Sequence, residues 1–250
     1  MKLLIDIGNT NTALQLLSGD KFVKRFTIHT SRKGVCIKSL SRLLRSCLGD
    51  IDEIIIVSVV PRFLLMIAAS LRKISVKWRI KVVGKDLFVP IVNKYKYPKQ
   101  VGQDRLLAAF ASILHFPPPA VAIDFGTAVT FDYVNSSREY EGGLIFPGMR
   151  LAESYLEEDT ALLPSIRIEP AKGFIGKDTK SSMNNGLIYG YTFLCDGMVR
   201  KFREKYGSKI KVIATGGDAA LIARYSREID KVVPDLIFEG MREMIAVKKG

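Results

Sequence analysis

Two short loops carry the residue types that could bind a phosphorylated ligand. Asp6-Ile7-Gly8-Asn9-Thr10 and Asp124-Phe125-Gly126-Thr127 each place a carboxylate at the end of an apolar run, then glycine and threonine, 118 residues apart. Bared backbone N–H groups and a hydroxyl can cradle phosphate oxygens there, while the carboxylate holds a metal ion or its waters. Facing one another, two such loops would grip a nucleotide triphosphate from both sides; either alone is equally an ordinary tight turn. A third constellation, Gly102-Gln103-Asp104-Arg105, opens a helical pattern. Asp104 suits a cap that accepts backbone N–H bonds. The functional alternative is a general base for a substrate hydroxyl, with Arg105 clamping an anionic group. Thr215-Gly216-Gly217-Asp218-Ala219 reads as a strand-to-helix turn whose small residues would also let an adenine ring approach the backbone.

Other chemistries lack their signatures. His29 and His115 stand apart from any metal-ligand spacing, and the three cysteines, Cys36, Cys47 and Cys195, form no CxxC pair. A disulfide framework is therefore not expected, and a reducing compartment is. The GxxxxGK[ST], GxGxxG and GxSxG patterns are absent.

The elements that must position these loops follow from periodicity. Lys2–Ile7 is an apolar strand, with Ala13–Leu17 and Phe22–Thr27 as its successors. Ile37, Leu40, Leu43, Leu44, Cys47 and Leu48 recur at helical intervals. Ile54–Val57 is a buried strand, Pro61 opens a helix carrying Leu64, Ile67 and Leu71, Lys81–Val83 is a strand, and Arg105–Phe116 a helix. The opening pattern then returns, as strands at Ala120–Phe125, Val129–Tyr133 and Tyr140–Ile145. A helix over Gly186–Phe202 and a strand at Ile210–Ala214 follow. Two copies of one unit predict a duplicated α/β fold, residues 1–115 and 116–250, with a cleft between the halves.

Of the 250 residues, 48% are hydrophobic and 25% charged, which excludes a disordered chain. The net charge of +13 lies wholly in the first half, where 20 Lys and Arg face 7 Asp and Glu; residues 116–250 hold 18 of each. Such basicity can serve an anionic partner or simply a solvated surface. The charges form no compact run and do not interleave with aromatics, so nucleic-acid binding is not expected. The longest uncharged stretch, Leu106–Ile123, is broken by Pro117, Pro118 and Pro119, and an acidic residue interrupts the N-terminal apolar run at Asp6. Neither a membrane span nor a signal peptide is predicted, and a cytoplasmic location is expected.

Taken in order, these motifs resemble those of the type III pantothenate kinases. The set also includes Val57-Ser58-Val59-Val60-Pro61, Gly142-Gly143-Leu144-Ile145-Phe146-Pro147-Gly148 and Gly176-Lys177-Asp178-Thr179, and it runs from residue 6 to 217. Gln103 stands where a small residue is usual. The resemblance implies an α/β fold of two duplicated actin-like (ribonuclease H-like) domains with a nucleotide cleft between them. It implies ATP-dependent phosphorylation of pantothenate to 4′-phosphopantothenate, the first step toward coenzyme A. By the same resemblance Asp6, Ile7, Gly8, Asn9, Thr10, Asn11, Thr12 and Ala13, with Thr127, contact ATP, and Asp6 organises Mg²⁺. Asp104 is the catalytic base; Tyr95, Gly102, Gln103, Asp104, Arg105 and Thr179 line the pantothenate pocket. Asp124 binds a monovalent cation, K⁺ or NH₄⁺. A homodimer is implied, for which the helix around Gly186–Phe202 is either the subunit contact or a core-facing helix. Two alternatives stand beside this: a non-catalytic relative acting as a transcriptional accessory protein, and a kinase for another small alcohol.

Overall fold

A computed structural model describes residues 1–19, 21–30 and 51–247. The helical pattern read over residues 37–48 lies outside them. The chain divides into two compact units. The first takes the described residues of Met1–Pro90, Tyr97–Phe110 and Ile237–Gly250, and the second takes Ile91–Lys96 and Ala111–Leu236.

In the first unit β1 (Lys2–Ile7), β2 (Asn11–Ser18) and β3 (Lys21–His29) form an antiparallel meander. β4 (Glu53–Ser58) pairs parallel to β1, and β5 (Arg79–Val82) parallel to β4, giving the order β3-β2-β1-β4-β5. Helix α1 (Pro61–Ile74) begins with proline at its first turn, where the missing N–H costs nothing. It lays Phe63, Ile67 and Leu71 against Leu3, Ile5, Ile7, Ile54 and Ile56. Strand alternation sends Leu4, Ile55 and Val57 to the opposite face. There they meet Leu107 of α2 (Gln103–His115) and Phe238, Met241 and Met244 of a C-terminal helix spanning Leu236–Val247.

The second unit repeats the plan. β7 (Ala120–Phe125), β8 (Ala128–Val134) and β9 (Glu139–Pro147) form a meander, with β10 (Lys211–Thr215) parallel to β7 and β11 (Lys231–Val232) parallel to β10. A two-residue strand, β6 (Val92–Asn93), adds parallel to β9 at the outer edge. The strand order matches that of the first sheet once β6 is set aside. Helix α3 (Met149–Glu158) follows β9 and has no counterpart in the periodicity reading. Helix α4 runs Thr179–Tyr206, seven residues longer at its start than the apolar stripe suggests, because Asp178 and Ser181 form a reciprocal capping box there. Its stripe, Leu187, Ile188, Tyr191, Cys195 and Val199, packs on Val121, Ile123, Phe131 and Val212, so it is core-facing. A short turn of helix, α5 (Ala219–Ile222), follows β10, and the C-terminal helix is α6 (Leu236–Val247). No helix among the described residues is long and apolar enough to cross a membrane.

Candidate active site

Asp6 projects from the same face of β1 as Leu4, because alternate residues point the same way. That face is covered by α2 through Leu107, and Asp104 lies one turn earlier on α2. The pairing of β1 with β4 continues past the strand ends, where Val59 N–H donates to the Ile7 carbonyl at 3.2 Å. A Cβ placed on Gly102 would sit 3.6 Å from Val59 Cγ1 and would collide with the Asp104 carboxylate. The start of α2 therefore lies beside the chain just past the end of β4. Asp6 and Asp104 lie toward the same end of one sheet face.

The Asp6 loop is a tight turn closed by Gly8 N–H to Asn11 O at 2.9 Å. Thr30 braces it: its hydroxyl donates to Gly8 O at 2.8 Å and lies 3.1 Å from the Thr12 hydroxyl, and its N–H donates to Thr10 O. Thr12 is buried, whereas Asn9, Thr10 and Asn11 are exposed at the tip. Ile7 is core, and Ala13 is half-buried.

Asp104 is the second residue of α2; Gly102 supplies the first helical carbonyl, to Leu106 N–H. Asp104 Oδ1 accepts the Arg105 N–H at 2.8 Å, so the capping chemistry read from the sequence is present. Burial pushes the Asp104 carboxyl above the usual carboxylate range, while the Arg105 N–H and guanidinium pull it down without offsetting the effect. A half-buried carboxylate with raised basicity has the property a hydroxyl-activating base needs. The Gln103 side chain lies over Gly84, whose φ of +85° makes a sharp turn after β5; a Cβ there would fall 2.7 Å from Gln103 Cδ. Gln103 thus packs on its own unit's turn, which accounts for a larger residue at that position.

In the second unit Asp124 is the penultimate residue of β7, between Thr130 of β8 and Thr215 of β10. The chain turns at once, Gly126 N–H donating to Ala128 O at 3.2 Å, and leaves Thr127 exposed. Two glycines pack onto this turn. Gly148 donates its N–H to Thr127 O at 2.9 Å, and any side chain on it would strike the Gly126 and Thr127 carbonyls. Gly216, at φ +92°, has no room for a Cβ beside the Asp124 carboxylate and the Phe125 backbone. Gly216 thus makes the strand-to-helix turn and also a close seat for Asp124. Asp218, buried just beyond, accepts from Arg150 at 2.9 Å. The Arg150–Asp218 pair escaped sequence reasoning, because 68 residues separate its members.

Tyr95 belongs to the second unit, where its half-buried ring lies against Gly142; Gly102 to Arg105 belong to the first. Thr179 is exposed in the first turn of α4, immediately after the Asp178 cap. The serine bonds of that cap hold the Asp178 carboxyl below its usual range.

In each unit the turn glycine, Gly8 or Gly126, leaves its backbone bare, which fits phosphate oxygens. No three His, Cys, Asp or Glu side chains among the described residues gather into a metal cage. Asp6 in the first unit and Asp124 in the second are each a single carboxylate, and a hard cation that keeps several waters and shares substrate phosphates takes one or two such ligands.

Residues 2–201 match the family model described as type III pantothenate kinase. The chain belongs to the type III pantothenate kinase family. A Geobacillus sp. (strain WCH70) protein named type III pantothenate kinase is 38% identical to it over 97% of this chain and 96% of its own length. Among solved structures, a candidate 2-dehydro-3-deoxygalactonokinase of Sinorhizobium meliloti aligns at TM-score 0.64, with 12% identity over 99% of each chain. A Campylobacter jejuni protein described as a candidate Baf family transcriptional activator aligns at TM-score 0.62, with 19% identity over 99% of this chain and 98% of its own. At those identities the likeness shows fold alone, and the fold of this family member is two duplicated actin-like α/β domains.

Proposed function

We propose that this chain transfers the γ-phosphoryl group of ATP to the primary hydroxyl of pantothenate, giving 4′-phosphopantothenate and ADP. Membership of the type III pantothenate kinase family, over four-fifths of the chain, carries this reading. The placement of Asp6 and Asp104 toward one end of one sheet face supports it. Phosphoryl transfer asks for positioning and charge neutralisation more than for a protein nucleophile, and none of His29, His115 or Cys195 is needed.

In this reading the Gly8–Ala13 turn and Thr127 hold the triphosphate through backbone N–H groups and hydroxyls. Asp104 accepts the hydroxyl proton as the alcohol oxygen bonds to the γ-phosphorus and the bond to the β-phosphate oxygen breaks. Arg105, Tyr95, Gly102, Gln103 and Thr179 orient pantothenate. Mg²⁺ at Asp6 and a monovalent cation, K⁺ or NH₄⁺, at Asp124 would neutralise phosphate charge when bound. A cytoplasmic homodimer without nucleic-acid or membrane partners completes the proposal. Exposed apolar side chains such as Ile145, Tyr155, Phe174 and Phe193 support a subunit surface on the second unit.

The test is ADP release by purified protein with ATP, Mg²⁺ and K⁺, with and without pantothenate, beside a panel of other small alcohols. Pantothenate-dependent release supports the proposal. Turnover of another alcohol in preference would reassign the substrate. DNA retention that weakens with salt, in the absence of any turnover, would instead support the transcriptional reading.

A further inference from the structure

We infer that Gly142, Tyr140 and Asp132 form a seat that positions the Tyr95 ring for substrate, so that they set pantothenate affinity without touching the ligand. The inference rests on the kinase reading, in which Tyr95 lines the pantothenate pocket. Every contact involved lies within the second unit.

Tyr95 follows β6, a strand of two residues that holds its place only by docking on β9, with Val92 beside Glu139 and Asn93 beside Tyr140. Lys94 N–H donates to Tyr140 O at 2.8 Å, and the Lys94 ammonium lies 3.4 Å from Glu139. The Asn93 carboxamide oxygen then accepts the Tyr95 N–H at 3.0 Å and turns the chain. The ring that emerges lies against a glycine. At φ +132°, Gly142 adopts a backbone conformation closed to ordinary side chains, and a Cβ built on it would stand 3.2 Å from both Cδ2 and Cε2 of Tyr95. Tyr140 flanks the ring at 6.4 Å between centroids.

Tyr140 is itself locked. Wholly buried, it donates its hydroxyl to Asp132 Oδ1 at 2.9 Å, and Thr130 donates to Asp132 Oδ2 at 3.0 Å. Asp132 is a buried carboxylate inside a sheet, an arrangement that is costly unless its acceptors are satisfied. The register shift in the β8–β9 pairing falls between Tyr133 and Val134, opposite Gly142 and Tyr140. Such an irregularity re-aims side chains locally. Here it puts the bare glycine under Tyr95 while Tyr140 points inward to Asp132. A buried, hydrogen-bonded carboxyl group, an irregular ladder and a glycine at positive φ all converge on holding one partly exposed aromatic ring.

A double-mutant cycle tests this on the full-length enzyme. Gly142→Ala must push the Tyr95 ring by a few tenths of an ångström. Since a 1 Å misplacement costs roughly a hundredfold, KM for pantothenate should rise about 3- to 10-fold while KM for ATP holds. Tyr140→Phe keeps the ring and removes only the hydroxyl held by Asp132; it should raise pantothenate KM about threefold with kcat retained. It stands in should Gly142→Ala fail to fold, as read by thermal melting. In a Tyr95→Ala background neither change should move pantothenate KM further. Additive effects in the double mutants, or equal loss toward ATP and pantothenate, would overturn the seat while leaving the kinase reading intact. Wild-type protein inert toward pantothenate would overturn both.

Discussion

Replacing Asp104 by asparagine separates its two roles, because the change keeps shape and acceptor while deleting charge. Asparagine Oδ1 can still accept the Arg105 N–H that Asp104 accepts at 2.8 Å, so the start of α2 should persist. Positioned general bases contribute about 10²- to 10⁴-fold. At about 1.4 kcal/mol per decade, Asp104→Asn should therefore raise the barrier by about 3–5 kcal/mol. Stability should move the other way. Burial raises the Asp104 pKa, so the ionised carboxylate is penalised in the folded state. The native protein then binds more protons than the unfolded chain between the unfolded and folded pKa values, and its stability falls as pH rises through that window. Asparagine escapes the penalty. Asp104→Asn should be at least as stable as wild type at neutral pH, the difference vanishing as pH is lowered and Asp104 protonates. Asp104→Ala loses the acceptor too and should be about 1 kcal/mol less stable than the asparagine variant. The assays are steady-state ADP release and thermal melting from pH 4 to 8. Wild-type kcat/KM should fall on the acid side at a pH above the ordinary aspartate value. Full turnover by Asp104→Asn would refute the base assignment. A melting temperature below that of Asp104→Ala would refute the account of the raised pKa.

Further outcomes follow from the same geometry. Exchanging K⁺ for Na⁺ in the ADP-release assay should lower activity, and indifference would remove the cation role from Asp124. Gly216→Ala forces a side chain into φ +92° against Asp124 and the Phe125 backbone, and should cost about 2–4 kcal/mol by denaturant titration. Gly8→Ala, whose Cβ would meet only Asn11 O at 3.0 Å, should cost under about 1 kcal/mol. Burial, with Asp196 adding to it, pushes the Cys195 thiol up to about 12, so its thiolate fraction at pH 8 is on the order of 10⁻⁴. Mass spectrometry after brief iodoacetamide treatment of folded protein should find Cys195 unmodified, and ready labelling would contradict its burial.

Much of this was legible in the residues, and what was missed shares one character. The runs at Lys2–Ile7 and Ala120–Phe125 announce themselves by apolar continuity, and both prove to be central strands with a carboxylate at the C-terminal end. The start of α4 was misjudged because its first turns, Thr-Lys-Ser-Ser-Met-Asn-Asn, carry no stripe; the capping box, a local hydrogen-bonding device, begins the helix there. Helix α6 shows why a division at 115/116 carries limited information: its Phe238, Met241 and Met244 complete the core built by Leu4, Leu17 and Val57. No local pattern reports which sheet a terminal helix will cover. The glycines at 142, 148 and 216 are visible as letters, but their function lies in close approaches to Tyr95, Thr127 and Asp124, which exist only once the sheet has formed.

The duplication also explains why two similar loops need not do the same work. Each follows a central strand, each closes with a glycine N–H, and the strand order around each is the same. The first turn spans from Gly8 to Asn11 and leaves three polar residues at an exposed tip, braced from one side by Thr30. The second closes one residue sooner, from Gly126 to Ala128, and is packed by Gly148 and Gly216. A loop with an exposed, side-chain-rich tip can rearrange around a polyphosphate at low cost. A loop packed against bare backbone cannot, but it holds its carboxylate in place before any ligand arrives, and such preorganisation is what electrostatic stabilisation of transferring charge requires. In the proposed kinase reading, one plan used twice gives an adaptable grip in one unit and a fixed electrostatic post in the other. Such a division of labour follows when phosphate tails must be admitted and released at each turnover while the charge that steadies them stays still.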